Sequence, residues 1–488
     1  MRDLALQALD AVTRGNVSYA DARAIEIRDR EITTKNGKAG HVSSNESVGL
    51  GIRVLVSGCW GFAATDDLSR QGVEAAAALA LEIARASTAV RKDDVSLVPE
   101  QKYEAAWVSP YRIDPFSISI HQQLATLLAI DAELRRVPGI SLAEGSMHFE
   151  RRRQVFASTL GSVIDQTRYV SGAGFSALSF KNGEIQRRSY PNSFGGQYQL
   201  KGYELIDELR PLENAPRIAE EAVALHGADQ CPEGEFDLIL DSSQLGLQIH
   251  ESIGHPIELD RVLGTEANYA GMSFLTIDQL GKLRYGSEIV NVMCDARLEH
   301  GPGLGTFAFD DEGVPAQSTP IIRNGLFTGY MTSRETAARI GENRSNGCMR
   351  ADGWGRLPLI RMTNVSLAPG EQSLEEVFDA GRNGRPAIYM ETNRSWSIDD
   401  KRYNFQFGCE IGWEIRNGKR VRMLKNPSYS GISTEFWNSC AAIASREHWT
   451  LWGVPNCGKG QPEQVMGTGH GASPARFRNI KIGGAYAG

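Results

Sequence analysis

Four Asn-Gly pairs fall in the C-terminal half of the chain, at 324–325, 346–347, 383–384 and 417–418. Asn-Gly accepts the positive φ angles of a two-residue hairpin turn, so each pair is expected to fold one strand back on the next. From about residue 286 onward the sequence therefore reads as strands and turns in a curved or closed sheet. The first 230 residues read differently. Helical patterns over 1–13, 68–87, 117–136 and 216–226 alternate with strand-like segments around 22–33, 49–64 and 140–205. Thr65-Asp66-Asp67 offers capping oxygens before the second helix, and Pro216 and Gly227 bracket the fourth. Asn36-Gly37 predicts one more hairpin, and 227–235 reads as a linker. The expectation is an α+β fold, with an N-terminal α+β domain over 1–230 and a β-rich C-terminal domain over 231–488. A chain of 488 residues is longer than one core usually organises, which agrees with two domains.

Bulk chemistry removes several function classes. The net charge is -7, the pI is near 5.8 and no Lys/Arg block stands out, so neither a nucleic acid nor a membrane is expected as partner. The leucines of residues 1–10 are interrupted by Asp and Gln, unlike a secretory signal, and no apolar run is long enough to span a bilayer. A cytoplasmic location is expected. Seven cysteines without a CxxC pair fit reduced thiols, any one of which could serve as a metal ligand.

The most informative segment runs from Asp241 to Pro256. A buried strand over 236–240 leads into a helix with Asp241 and Gln244 in capping-box spacing, seated by an apolar stripe of Leu245, Ile249 and Ile253. Off that stripe lie His250, Glu251 and His255, in the pattern HExxxH. Zinc peptidases commonly use HExxH, whose histidines share one helix face. Five residues of regular helix leave the imidazoles about 140° apart, too far to share an ion. Gly254, through unusual dihedrals, and Pro256, by discouraging α geometry at His255, are expected to end or widen the helix and swing His255 back. Neutral imidazoles are good zinc ligands, and Glu251 is placed to take a proton from an attacking water.

Over nearly its whole length the chain resembles the TldD/PmbA family of zinc peptidases. The resemblance rests on Gly51-Ile52-Arg53-Val54 through Asp67-Leu68, the His250 to His255 motif, Phe309-Asp310-Asp311-Glu312-Gly313, Arg361-Met362-Thr363-Asn364, and Asn456-Cys457-Gly458-Lys459-Gly460-Gln461. It implies a barrel-like C-terminal domain and Zn²⁺ held by His250, His255 and Cys457. It also implies peptides or unfolded segments as substrates, and a homodimer or a heterodimer with a related, metal-lacking subunit. Lys459 would favour the Cys457 thiolate. For His470, in a segment that reads as flexible, oxyanion stabilisation and simple solvation both stand. Asp310-Asp311-Glu312 reads as an acidic turn or as a substrate loop, and Arg361–Asn364 as strand packing with one exposed Arg. Three functions remain open: a zinc peptidase with Glu251 as general base, a structural or partner subunit active only in an assembly, and a metal hydrolase of other carbonyls.

Overall fold

The computed structural model describes residues 1–379 and 387–483, so the Asn383-Gly384 turn lies outside the described residues. The architecture is α+β, built on two long-stranded regions joined by buried ion pairs.

The first region is one eight-stranded sheet. Tyr19–Lys35 and Lys38–Val56 form the hairpin expected at Asn36-Gly37, and Ile140–Ser158 and Val163–Lys181 form a second hairpin beside it. Strands this long carry two separate cores, one toward each end. Helices Arg2–Thr13 and Arg70–Ser87 bury alanine-rich faces over Ala20, Ala22, Ala24 and Val155. Helices Ile120–Arg136 and Pro211–Ala224 cover Ile32, Met147, Phe149 and Phe175.

Local chemistry corrects several boundaries. The 49–64 segment breaks at Ser57-Gly58, both at positive φ, before the strand Cys59–Thr65. Ser69, not Thr65-Asp66-Asp67, caps the second helix by accepting from the Gly72 amide. Pro211 takes the first turn of the fourth helix, where a missing N–H costs nothing, and Pro216 lies inside it. The carbonyl that Pro216 cannot serve is that of exposed Leu212. The expected linker is also structured: Asp229–Gln230 pairs in parallel with Lys419–Lys425, and Cys231 is buried.

In the C-terminal half, Ala387–Ile398, Gly234–Leu240, Ala475–Ile482, Ser428–Ile432 and Asn404–Arg416 pair in that order. The last pairs again with the first, closing a five-stranded barrel. A six-stranded sheet beside it includes Val292–Asp295, Asn364–Leu367, Gln464–Ala472 and Thr450–Lys459. Asn324-Gly325 and Asn417-Gly418 make the expected hairpins, with positive φ at both residues. Asn346-Gly347 does not. Asn346 is buried, and its side chain accepts from the Thr332 amide and donates to the Tyr330 carbonyl.

Candidate metal centre

The barrel strand Gly234–Leu240 runs straight into the site helix, Ser242–Ile249. Asp241 caps it by accepting from the Ser243 amide, whereas Gln244 donates to the Tyr429 hydroxyl and closes no capping box. Every residue of this helix is buried. At His250 the hydrogen bonding changes. Residues His250–Gly254 form a π turn, in which the His255 amide donates to the His250 carbonyl five residues back, at 3.1 Å. One extra residue per turn places His255 above His250 rather than across the helix from it. The two rings stand perpendicular, with centroids 4.9 Å apart.

The turn is widened as expected, though not for the expected reasons. His255 keeps α geometry (φ -66°, ψ -42°) despite Pro256, and Gly254 has no positive φ. Gly254 is needed for space: a Cβ there would lie 2.2 Å from the Met362 sulfur. Ser252 anchors the other side of the turn, its carbonyl accepting from the Tyr285 hydroxyl and its own hydroxyl from Trp437.

Cys457 arrives from the strand Thr450–Lys459, and its sulfur lies 3.9 Å from His255 Nε2. A thiolate and an imidazole sharing a tetrahedral zinc would stand about 3.6 Å apart. Ligand atoms of His250, His255 and Cys457 all lie within 4.8 Å of one another, and all three residues are buried.

The hydrogen bonds around the histidines fix which nitrogen carries the proton. His470 Nδ1 faces the Val365 carbonyl at 3.0 Å, and a carbonyl only accepts, so that nitrogen is protonated. Burial, and then the neighbouring His250, hold His470 well below the usual imidazole range, so the ring is neutral and its Nε2 is an acceptor. His250 Nδ1 lies 2.8 Å from that Nε2 and donates to it, which leaves His250 Nε2 with a free lone pair. His255 Nδ1 donates to Glu258 at 3.0 Å, freeing its Nε2 in the same way. Burial also keeps His250 and His255 below their ordinary value, and therefore neutral. Burial pushes the Cys457 thiol up, and the nearby Arg361 guanidinium pulls it down. Two free imidazole nitrogens and a thiol beside a guanidinium suit a zinc ion.

Glu251 lies beside this cluster with its side chain 7% exposed, 2.5 Å from the Arg402 guanidinium. Arg402 sits at φ 63° in the tight turn that joins two barrel strands. Sequence reasoning missed it, because a lone Arg in a hairpin turn carries no local signal. Glu258 and Lys459 extend the shell. Lys459 bonds Asp260 at 2.8 Å and Glu258 at 3.3 Å, so it supports the carboxylate behind His255 rather than the thiolate. The cation that acts on Cys457 is Arg361, which is fully buried, not exposed, and donates to the Cys457 carbonyl.

His470 lies in the strand Gln464–Ala472, fully buried, rather than in a flexible segment. Asp310, Asp311 and Glu312 are buried too, and do not form a solvated turn. Asp310 accepts from the Glu312, Val314 and Met349 amides, while Glu312 binds Arg53 of the first sheet.

A buried His/His/Cys cluster, its histidines on a widened helix and its cysteine on a strand, thus lies beside a carboxylate inside this α+β scaffold. Residues 233–484 match the PmbA/TldA metallopeptidase C-terminal domain and residues 20–84 match domain 1 of the same group. The chain belongs to the TldD/PmbA family and is a metallopeptidase. A metalloprotease of Methanothermobacter thermautotrophicus is 30% identical over 468 residues, covering 96% of each chain. A zinc metalloprotease TldD homolog of Saccharolobus solfataricus is 29% identical over 252 residues, 51% of this chain and 52% of its own. TldE from Thermococcus kodakarensis shares the fold, with TM-score 0.71 and 16% identity over 98% of this chain and 100% of its own.

Proposed function

We propose that this chain is a zinc-dependent peptidase that hydrolyses peptide bonds in small or unstructured peptides. The observation that carries the reading is the convergence of His250, His255 and Cys457 within 4.8 Å, with both imidazole lone pairs turned free by hydrogen bonds behind them. These three residues would hold the ion. Bound there, zinc would supply Lewis acidity to polarise a carbonyl and acidify a water. Glu251 is the base that takes the proton of the attacking water and returns it to the departing amine. Arg402 aims the Glu251 carboxylate. With both ring nitrogens of His470 engaged, we assign it to positioning His250 rather than to an oxyanion. Substrate enters as an extended segment added to a sheet edge.

Glu251→Gln keeps the shape of the carboxylate and removes its basicity. It is expected to retain about one zinc per chain and to lose about 10²–10⁴-fold in turnover of a disordered peptide. Undiminished cleavage by the zinc-loaded variant contradicts the mechanism. We further propose that the chain assembles with a second copy or with a related, metal-lacking chain. If activity belongs to the assembly alone, the isolated chain binds zinc but is inert until the partner is added.

A further inference from the structure

Two arginines face each other directly across the first sheet: Arg152 and Arg168 are register partners in the hairpin Ile140–Ser158/Val163–Lys181. Like charges opposite one another in a strand pair are destabilising, and here a third cation, Arg350, joins them. The three line a cleft of about 140 Å³ between that sheet and the strand pair Thr450–Lys459/Gln464–Ala472. Arg152 and Arg350 are buried, and the Nε atoms of Arg168 and Arg350 are buried without a hydrogen-bond partner.

Their hydrogen bonds all go to backbone carbonyls, and Arg350 also lies over the Phe307 ring. Arg152 donates to Ala351, Arg168 to Leu304, and Arg350 to Met362, Leu304 and Gly467. Glu150 and Asp352 also line the cleft and Asp311 lies next to it, yet among the described residues no carboxylate forms an ion pair with any of the three. Asp311 is committed to Gln154, the Ala351 amide and Arg23, and Asp352 to the Val465 amide and Arg356. Leaving buried guanidinium groups unpaired is costly, and a chain of net charge -7 has carboxylates to spare. Burial, partly offset by Glu150, lowers Arg168 to about 10, as expected where positive charge lacks its counter-ion.

The cleft adjoins the metal cluster. Met466 lines it and is the direct cross-strand partner of Cys457, so the two side chains stand on one face. Arg350 grips the carbonyl of Met362, the residue packed on Gly254, and that of Gly467, next to Met466. At the rim, half-exposed Val465 opens the cleft to solvent.

We infer that Arg152, Arg168 and Arg350 form a carboxylate-binding subsite that holds an anionic group of the peptide substrate beside Cys457. Planar guanidinium forks match a carboxylate in two-point geometry. The inference rests on the peptidase reading for the identity of the ligand. Two sources share this chemistry: the C-terminal carboxylate and an acidic side chain.

The test uses the full-length, zinc-loaded Glu251→Gln protein and measures peptide binding by calorimetry, which separates it from turnover. The probes are an N-acetylated octapeptide with no ionisable side chain and a free C-terminal carboxylate, its C-terminal amide, and the amide with one Glu scanned along it. A free acid at least tenfold tighter than its amide identifies the C-terminal carboxylate, and a tighter Glu-containing amide identifies the side chain. Adding Arg168→Gln is expected to abolish the difference and Arg168→Lys to restore part of it, with unchanged melting transitions showing that both fold. Equal binding of all probes, or a preference that survives Arg168→Gln, overturns the subsite. If wild-type protein cleaves none of these peptides but the carboxylate preference persists, the peptidase reading fails and the anion site stands.

Discussion

At the residue scale, the account depends on proton placement. The Val365 carbonyl fixes the His470 tautomer, His470 fixes that of His250, and Glu258 fixes that of His255. Replacing such a supporting group typically costs 10–100-fold in metal affinity. His470→Ala is therefore expected to weaken zinc binding by about that factor in a chelator competition while leaving the fold cooperative; unaltered affinity would remove His470 from the site. Lys459 carries a separate prediction. Burial pulls its pKa down, but Asp260, Glu258 and Glu266 outweigh burial and raise it. A raised lysine stabilises fully below its ordinary range and loses that contribution only as the pH climbs through its elevated value. Lys459→Met strands Glu258 and Asp260 without their cation, and should cost about 3–5 kcal/mol in denaturant unfolding at neutral pH. Of these residues, the sequence displayed the HExxxH histidines and Glu251 openly. Glu258, three residues past His255, was readable in principle from its offset. Arg402 was not, and the roles of Arg361 and His470, both visible as candidates, were misread because their partners lie on other strands and no periodicity links them.

At the scale of the element, the decisive object is the π turn at His250–Gly254. Five-residue spacing asks that the helix end or widen if the two histidines are to share an ion, and the structure takes the second course. The cause of that widening was not legible in the sequence. Gly254 is present because Met362, more than a hundred residues on, occupies the space a side chain would need. Gly254→Ala is expected to destabilise the protein by about 1–3 kcal/mol, as overpacking does. A second change, Met362→Ala, should recover part of that loss. Failure of the double variant to recover would mean that backbone freedom, rather than packing, fixes glycine there. The Asn-Gly pairs teach a similar lesson. Those at 36–37, 324–325 and 417–418 made hairpins because only the local turn mattered, while Asn346 was drawn inward by Thr332 and Tyr330.

At the scale of the whole molecule, the centre exists because distant segments meet. His255 and Cys457 are 202 residues apart in sequence. Strand alternation announced a β-rich C-terminal half, but the pairing of Ala387–Ile398 with Asn404–Arg416 that closes the barrel is a register fact, and alternation does not encode register. Ion pairs between the regions were also illegible. Arg188 of the first sheet reaches Glu391 and Glu410 of the barrel, and Arg53 joins Asp21 to Glu312. Arg188→Met strips buried Glu410 of its cation and is expected to cost about 3–5 kcal/mol, read as a lowered denaturation midpoint. A midpoint within error of wild type would show that this junction contributes little.

The central claim is that one zinc joins the site helix to the Cys457 strand. X-ray absorption at the zinc edge tests it most directly, on wild type and Cys457→Ser side by side. The account predicts one sulfur at about 2.3 Å and two imidazole nitrogens at about 2.0–2.1 Å in the wild type, with the sulfur lost in the variant. A first shell of nitrogen and oxygen alone in the wild type, or a sulfur that survives Cys457→Ser, would contradict it.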